Sequence, residues 1–191
     1  MFFMKDDIKR GSLHPITTTI RKLNDIFFNM GFEIVLGPEL ESEYYNFDAL
    51  NVPEKHPARD MQDTFWIDLE KKTLMRTQTS SVQVRHMEKN EPPFRIIVPG
   101  RVFRNEATDA THDFQFYQTE GLMIDKDVSM SNLVGVLKSV FEEFFGTKLS
   151  TRLRPGYFPF VEPGVEIDVS CFNCGGSGCG VCKNTGWIEI L

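Results

Sequence analysis

Apolar side chains between residues 15 and 30 recur alternately four and three positions apart, as they do on one face of an α-helix. They are Ile16, Ile20, Leu23, Phe27 and Met30. Pro15 suits the first turn of this helix and Gly31 suits its end. The pattern therefore predicts an amphipathic helix, followed by a strand at FEIVL that is ended by Gly37-Pro38.

The chain between residues 40 and 125 mixes short helical and strand-like segments. We expect a short helix near residues 40–50, a polar loop at 53–63, a hairpin around Glu70 to Lys72 and a helix from about Ser80 to Lys89. The runs PFRIIVPGRVFRNE and DFQFYQTEGLMID follow, separated by the polar loop ATDATH. Two long strand-like runs around one short loop predict an antiparallel hairpin.

The last third begins with a second helical stripe and returns to strands. Ser129 can cap a helix that Gly146 ends. The stripe consists of Leu133, Leu137, Val140, Phe141 and Phe144. TRLRPGYFPFVEPGVEIDV then predicts strands broken by Pro-Gly, and WIEIL a final strand. Strands joined by hairpins with helices between them favour an α+β fold, an antiparallel sheet flanked by helices, over a parallel doubly wound sheet.

Composition narrows the class of protein. A chain of 191 residues with 41% hydrophobic and 25% charged residues predicts one domain, 1–191. No apolar run is long enough to span a bilayer, and MFFMKDDIKR is too short and acidic for a signal peptide, so we expect a cytoplasmic protein without a membrane partner or disulfides. A net charge of −6 argues against a dedicated nucleic-acid-binding module. A large RNA could still be held mainly by another domain or subunit, while only its 3′ end reaches this domain.

Side chains that could bind a ligand or take part in catalysis cluster on the two arms of the long hairpin. On each arm, alternate residues share a face. The first arm carries Arg104 and Glu106, the second Phe116, Gln118 and Glu120, and the loop His112. A guanidinium can bind a phosphate through two hydrogen bonds and stabilise charge on a transferring phosphoryl group. The pattern also allows a plain cross-strand ion pair between Arg104 and Glu120 on a solvated face.

The segment Tyr157-Phe158-Pro159-Phe160 places two aromatic rings on one face of a predicted strand, and Glu162 comes next on the same face. Phe158 and Phe160 could flank an aromatic ligand edge to face, an arrangement worth about 0.5–1.5 kcal/mol beyond burial. They could equally be ordinary core aromatics.

All four cysteines fall within twelve residues, as Cys171-x2-Cys174-x4-Cys179-x2-Cys182 with glycines between them. Two C-x-x-C pairs can supply a tetrahedral sulfur site, and four thiolates leave no open position, so we predict structural zinc in a hairpin insertion at 171–186. An iron–sulfur cluster, a redox dithiol pair and an empty site remain alternatives.

The hairpin GRVFRNEATDATHDFQFYQTEG resembles motif 2 of the class II aminoacyl-tRNA synthetases. Its residues Phe103-Arg104-Asn105-Glu106 match the F-R-x-E of that motif. The first helix and strand look like motif 1. Four further segments resemble the bacterial phenylalanyl-tRNA synthetase alpha subunit family. They are GSLHPITTTI, HPARDMQDTFW, RTQTSSVQVR and LRPGYFPFVEPG. The resemblance covers Gly11 to Leu191 and implies a partial class II catalytic domain, with motif 1 at about 15–38 and motif 2 at about 94–124.

The resemblance also implies a role for each matching residue. Arg104 is implied as the catalytic residue that holds the alpha-phosphate of ATP, with Phe116 under the adenine and Glu106 and His112 on the nucleotide. Gln118 and Glu120 are implied to bind the amino group of phenylalanine. Gln78, Ser80 and Gln83 would lie near it, Phe158 and Phe160 would wall its pocket, and Glu162 would help to bind magnesium.

The activity implied is phenylalanine–tRNA ligase: ATP and Mg²⁺ activate L-phenylalanine, which is transferred to tRNA(Phe), within an alpha2-beta2 assembly with a beta subunit. Two features depart from the family. The N-terminal arm is absent, and the chain stops before motif 3, whose arginine completes the ATP site, so we expect these residues alone to be inactive. Alternatives are a truncated noncatalytic synthetase-like protein that binds an amino acid, a partner subunit or RNA, and a free-standing zinc module at 165–191.

Overall fold

The computed structural model describes residues 11–59, 63–108, 113–159 and 161–190. The α-helices in these ranges are α1 (Pro15–Asn29), α2 (Glu43–Asn46), α3 (Ser80–Met87) and α4 (Met130–Phe145). Two 3-10 helices cover Asp48–Leu50 and Pro57–Arg59. Among the described residues, no helix is both long and apolar enough to cross a membrane.

The described strands form three sheets of three strands each. The strands are β1 (Glu33–Ile34), β2 (Leu40–Ser42), β3 (Trp66–Asp68), β4 (Thr73–Met75), β5 (Phe94–Phe103), β6 (Gln115–Ile124), β7 (Thr151–Pro155), β8 (Val165–Ser170) and β9 (Trp187–Glu189). The orders within the sheets are β1-β5-β6, β2-β4-β3 and β7-β8-β9.

The expectation of a purely antiparallel sheet was wrong in one respect. β1 pairs with β5 in parallel, with Glu33 opposite Ile96, while the other pairs are antiparallel. Parallel neighbours need a long crossover. The chain supplies one here, because it builds the second sheet and two helices before it returns to the first sheet at Phe94. The fold is α+β with a mixed sheet.

The ends of the two long helices follow the predicted signals. Pro15 opens α1, and Gly31 lies just beyond its end with φ of +83°. Ser129 precedes α4, and Gly146 ends it with φ of +69°. The predicted buried face of α1 is correct only in its second half, because Ile16 is 41% exposed.

The segment near residues 40–50 contains a strand that we did not predict. Ser42 ends β2, and its hydroxyl accepts a hydrogen bond from the backbone of Tyr45 at 3.4 Å, so that the helix begins only at Glu43. Pairing of Leu40 with Met75 adds β2 to the predicted hairpin of β3 and β4.

The largest core cluster lies between the two long helices and two of the sheets. Its buried members are Ile26, Phe27, Phe32, Ile97, Val140, Phe141, Leu149, Ile167 and Val169. Seven of them come from α1, β5, α4 and β8, while Phe32 and Leu149 lie in the segments that follow α1 and α4, so the two helices cover one face of both sheets.

Candidate functional site

The register of the β5–β6 hairpin determines which side chains share its polar face. Val98 lies opposite Glu120, Gly100 opposite Gln118 and Val102 opposite Phe116. The three predicted residues of the second arm therefore alternate along one face, as the sequence predicted.

Arg104 lies one residue beyond the end of β5. Its backbone N–H still donates to Phe114 at 3.0 Å, and its guanidinium lies 4.9 Å from the centre of the Phe116 ring. The guanidinium Nε is 3.4 Å from the carbonyl oxygen of Thr77. The predicted arginine and aromatic ring are thus in contact.

An ion pair between Arg104 and Glu120 is ruled out by this register. Glu120 faces Val98, six residues before Arg104, which corresponds to about 20 Å along an extended strand. The plain cross-strand alternative is therefore wrong.

Glu120 is held by three neutral donors. Ser80 Oγ donates at 2.6 Å and Gln83 Nε2 at 2.8 Å, both to Oε2, while the backbone N–H of Thr79 donates to Oε1 at 3.2 Å. All three lie at or in the first turns of α3, where the helix dipole favours an anion. Burial nevertheless raises the pKa of Glu120, and the hydrogen bonds from Ser80 and Thr79 oppose that shift.

A pocket of about 470 Å³ opens beside this carboxylate. One end is polar, with Ser80, Gln83 and Glu120, and the remaining lining is mostly apolar. The other lining residues are Ala49, Leu50, Asn51, Val84, Met87, Gly121, Leu122 and Val161. Such a pocket is suited to a small ligand with a polar or cationic head and an apolar side chain.

Gln118 lies two residues from Glu120 on the same face of β6, although it does not line the pocket. Its side-chain Oε1 is buried and has no hydrogen-bond partner among the described residues. A buried amide oxygen without a partner is costly. The atom could therefore accept a hydrogen bond from a donor other than the described residues.

Gln78 is engaged elsewhere. Its Nε2 donates to the carbonyl oxygen of Asn46 at 2.9 Å, which ties the segment before α3 to α2. It is not among the residues that line the pocket. Its role in binding phenylalanine stays a prediction, as do those of Ser80 and Gln83, which do line the pocket.

The predicted strand carrying Phe158 and Glu162 is a loop instead. β7 ends at Pro155, and Phe158 pairs with Val161 in a single bridge, so the chain reverses between them. Pro159 and Pro163 have no N–H and cannot continue a ladder. The periodicity predicted that Phe158 and Glu162 share one strand face, and this prediction was wrong.

Phe158 packs over the base of this loop. Gly156 donates to Gly164 at 3.1 Å, and a Cβ on either glycine would come within 3.4 Å of the Phe158 ring. A Cβ on Gly164 would also lie 2.3 Å from the carbonyl oxygen of Gly156. From this loop it is Val161, rather than Phe158, that lines the pocket.

The other predicted residues divide between exposed and undescribed positions. Glu106 is exposed, beyond the end of the strand, because Asn105 donates its backbone N–H to Asp63 rather than across the hairpin. Glu162 is exposed and belongs to no group of three or more potential metal ligands in the described part of the chain. His112 and Phe160 lie outside the described residues.

Arg76 is a buried cation that the sequence analysis missed. It is 3% exposed and donates to the carbonyl oxygens of Gly37, Pro38 and Arg101. A Cβ on Gly100 would lie 2.0 Å from its Nη2. A glycine within a strand often marks such a close approach, which is the one signal that could have revealed it.

The four cysteines converge. The sulfur atoms of Cys171 and Cys179 are 3.8 Å apart, those of Cys174 and Cys182 3.9 Å and those of Cys179 and Cys182 3.8 Å. All four lie within 4.8 Å of one another. A tetrahedral site with Zn–S bonds of about 2.3 Å requires sulfurs about 3.8 Å apart. An iron–sulfur cluster, whose cysteines bind different irons, needs a wider set.

Backbone and side-chain donors surround these sulfurs. Gly178 donates to Cys174 at 3.2 Å, and Gly186 donates to Cys182 at 3.3 Å. The Asn173 amide donates to Cys179 at 3.3 Å and lowers the pKa of that thiol to about 6. Burial raises the pKa of Cys171 to about 11. The thiols of Cys171 and Cys179 therefore differ in how readily they ionise.

A carboxylate of a different kind, Asp168, lies in the β7-β8-β9 sheet. Asp168 is 2% exposed, and its Oδ2 accepts from Arg152 Nε at 2.6 Å and Arg154 Nε at 2.8 Å, while Arg154 Nη2 donates to Oδ1 at 3.0 Å. The hydrogen bond from Arg154 holds the pKa of Asp168 below its usual value. Arg154 also donates to Glu189 at 2.6 Å, which completes the network.

The fold has counterparts among aminoacyl-tRNA synthetases. One solved structure of pyrrolysyl-tRNA synthetase from Desulfitobacterium hafniense is similar with a TM-score of 0.61 and 20% identity, over 81% of this chain and 52% of that chain. Another matches with a TM-score of 0.62 and 19% identity, over 83% and 56%. At such identity the likeness defines the fold alone, that of a class II synthetase core.

Sequence comparison defines the family. The profile of the tRNA synthetases class II core domain (F) matches residues 2–191, and the chain belongs to this family. It is 56% identical over 186 residues to the phenylalanine–tRNA ligase alpha subunit of Bacillus licheniformis, covering 96% of this chain and 54% of that protein. With the subunit of Bacillus subtilis it shares 57% over 183 residues, 95% of this chain and 53% of that protein. The chain thus spans about half the length of these relatives.

Proposed function

We propose that this chain forms part of the catalytic core of a phenylalanine–tRNA ligase alpha subunit. In the reaction, a carboxylate oxygen of L-phenylalanine attacks the alpha-phosphorus of ATP and pyrophosphate leaves. A ribose hydroxyl at the 3′ end of tRNA(Phe) then attacks the carbonyl carbon and AMP leaves. Positioning and electrostatic stabilisation account for most catalysis in such phosphoryl chemistry. A beta subunit, in an alpha2-beta2 assembly, belongs to the same proposal.

One observation carries the proposal: the pocket pairs a carboxylate that forms no salt bridge with another described residue with a mostly apolar lining. In the described part of the chain, Glu120 accepts from neutral groups of Ser80, Gln83 and Thr79, and the buried oxygen of Gln118 has no partner there. An ammonium group supplies both the charge and the donors that these two residues lack. The apolar walls then receive the side chain of the amino acid.

The ATP side of the proposal rests on Arg104 and Phe116. The Arg104 guanidinium is adjacent to the Phe116 ring at the same end of the hairpin face. A planar guanidinium binds phosphate oxygens in a fork, and an aromatic ring stacks on a base. Because Arg104 covers one face of this ring, an adenine would stack on the other face or require the guanidinium to swing towards the phosphate.

Magnesium is part of the proposed ATP chemistry, but the described residues do not assemble a site for it. Glu162 is the predicted ligand, and it has no group of further ligands in the ranges that the structure describes. We therefore derive no step through this ion, and Glu162 stays a predicted ligand only.

A structural zinc ion in the hairpin at 171–186 also belongs to the proposal. The sulfur spacing supports a single tetrahedral ion held by Cys171, Cys174, Cys179 and Cys182. When bound, such an ion cross-links the hairpin and contributes to folding. Phe172 stacks on Phe145 of α4 at 4.8 Å, which connects this hairpin to the helical layer.

The test is ATP–pyrophosphate exchange by the full-length protein with each of the amino acids, with and without the matching beta subunit. We expect exchange with phenylalanine and none of comparable rate with the others. Arg104→Ala should abolish this exchange and leave the fold intact, because it removes the phosphate-binding fork. Phenylalanine binding without exchange in every arrangement would favour a noncatalytic synthetase-like protein instead.

A further inference from the structure

The pocket has two walls that belong to different parts of the fold. One wall comes from the 3-10 turn at Asp48–Leu50 and from α3, and Leu50 and Val84 share a core cluster there. The other wall includes Val161, at the tip of the loop that joins β7 and β8. The width of the pocket therefore depends on how this loop is held against the turn.

The loop is tied at its base and at its tip. At the base, Gly156 donates to Gly164 at 3.1 Å. Near the tip, Val161 donates to Phe158 at 3.2 Å. These bonds shape the loop itself but do not connect it to the opposite wall.

Asn51 makes that connection. Its side-chain Nδ2 donates to the carbonyl oxygen of Pro159 at 3.0 Å, between residues 108 positions apart in the chain. Asn51 also lines the pocket, immediately after Leu50. A single amide thus joins the turn on one side of the pocket to the loop that carries Val161 on the other.

The backbone at Asn51 explains why this residue type stands here. Its φ of 57° and ψ of 26° are left-handed, and its N–H donates to Asp48 to close the turn. Asparagine and glycine adopt this conformation at low cost, and of the two only asparagine carries a donor. Its side chain is therefore directed by a turn that few other residues can form.

We propose that Asn51 is a positioning residue for the amino-acid pocket: by holding the loop at Pro159, it sets the separation of the Leu50 and Val161 walls. The inference rests on the proposed function, because it assigns this pocket to the side chain of phenylalanine. Asn51 does not contact the reacting atoms. Loss of its bond widens the pocket and weakens binding of the amino acid, but leaves the ATP side unchanged.

Three substitutions separate the bond from the backbone. Asn51→Gly keeps the left-handed turn and removes the donor. Asn51→Asp keeps the size and shape but sets a carboxylate against a carbonyl oxygen. Asn51→Ala removes the donor and adds backbone strain. The matched control is Asn184→Gly, because Asn184 is also left-handed, with φ of 62°, but lies in the cysteine hairpin.

The first readout is amino-acid activation by the full-length protein with its beta subunit. In Asn51→Gly we expect the KM for phenylalanine to rise about 3- to 10-fold, the effect of one net hydrogen bond, with the KM for ATP within about 2-fold of the parent. Asn51→Asp should equal or exceed this change. Asn51→Ala should match Asn51→Gly in KM and fall below it in melting temperature. Asn184→Gly should leave both KM values unchanged.

The second readout does not depend on activity. Amide hydrogen exchange across residues 156–164 should be faster in all three Asn51 variants and unchanged in Asn184→Gly. Equal exchange in parent and variants would overturn the role of Asn51, even if the protein activates no amino acid. ATP–pyrophosphate exchange that does not depend on phenylalanine in the parent protein would instead overturn the proposed function. An equal rise in the KM for ATP would show a general structural effect and would also overturn the inference.

Discussion

Two carboxylates that are shielded from water, Glu120 and Asp168, have opposite surroundings in this protein: neutral donors surround Glu120, and arginines surround Asp168. Asp168 lies between Arg152 and Arg154, and its pKa is lowered, mainly by the hydrogen bond from Arg154. Glu120 lies beside a pocket with neutral donors, and burial raises its pKa. Asp168 forms salt bridges with two arginines, whereas Glu120 forms none with the residues that the structure describes.

The difference separates a structural group from a binding group. A buried ion pair that is complete within the chain helps to specify a structure and offers little to a ligand. A carboxylate held without a cation is costly until a cationic ligand arrives. The comparison therefore predicts that changes near Asp168 alter stability, whereas changes near Glu120 alter binding and catalysis.

The largest expected effect is on the Asp168 side, where Cys182 lies in the same pocket lining as Arg152 and Arg154. Cys182→Ser should release the metal and lower the free energy of unfolding by more than about 4 kcal/mol, because binding of structural zinc is coupled to folding. Metal analysis and denaturant unfolding of the full-length protein would measure this. Val181→Ala, at an exposed position between the ligands, is the control. A metal-free parent with the stability of the variant would contradict the prediction.

Glu120→Gln tests the other side of the comparison. It should raise the KM for phenylalanine about 100-fold or more, because it removes the charge partner of the ammonium group in a shielded site. The melting temperature should not fall, since the folded protein no longer holds an uncompensated charge. Pyrophosphate exchange and calorimetry on the full-length protein would show both. Unchanged phenylalanine dependence would place the ammonium elsewhere.

Asp168→Asn is the isosteric counterpart. It should lower the free energy of unfolding by about 2 kcal/mol at neutral pH, less than for a fully buried pair because both arginines are partly exposed. The KM for phenylalanine should stay near the parent value. Urea unfolding would measure the change in stability, and ATP–pyrophosphate exchange kinetics would measure the KM for phenylalanine. A variant that is as stable as the parent but inactive would reverse the assigned roles.

The smallest effects concern pH and have opposite signs. A lowered pKa means that the ionised Asp168 stabilises the fold above the ordinary value of 3.8, and this contribution is lost as pH falls through the folded pKa. A raised pKa means that Glu120 favours the fold when protonated, and this contribution is lost as pH rises from 4.5 through the folded pKa.

Urea unfolding at a series of pH values would resolve the two contributions. The stability deficit of Asp168→Asn should shrink as the solution becomes acidic, whereas the stability advantage of Glu120→Gln should grow above pH 4.5. Parallel pH curves for the parent and both variants would contradict the comparison.

Local patterns were sufficient to predict much of this fold. Pro15 with Gly31 and Ser129 with Gly146 delimit the long helices, because their backbone preferences are intrinsic. Alternation also placed Phe116, Gln118 and Glu120 on one face of β6. The same rule failed at Phe158 and Glu162, where prolines interrupt the ladder and the chain reverses.

By itself, the sequence determined the helices, the hairpins, the cysteine spacing and the family resemblance, because each depends on residues close in the chain or on a motif read in order. Only the tertiary structure decided which charges are compensated. Arg152 and Arg154 reach Asp168 across a sheet, while Ser80 and Gln83 bring only neutral donors to Glu120 from α3. The contact between Asn51 and Pro159 likewise depends on long-range packing, which local periodicity does not encode.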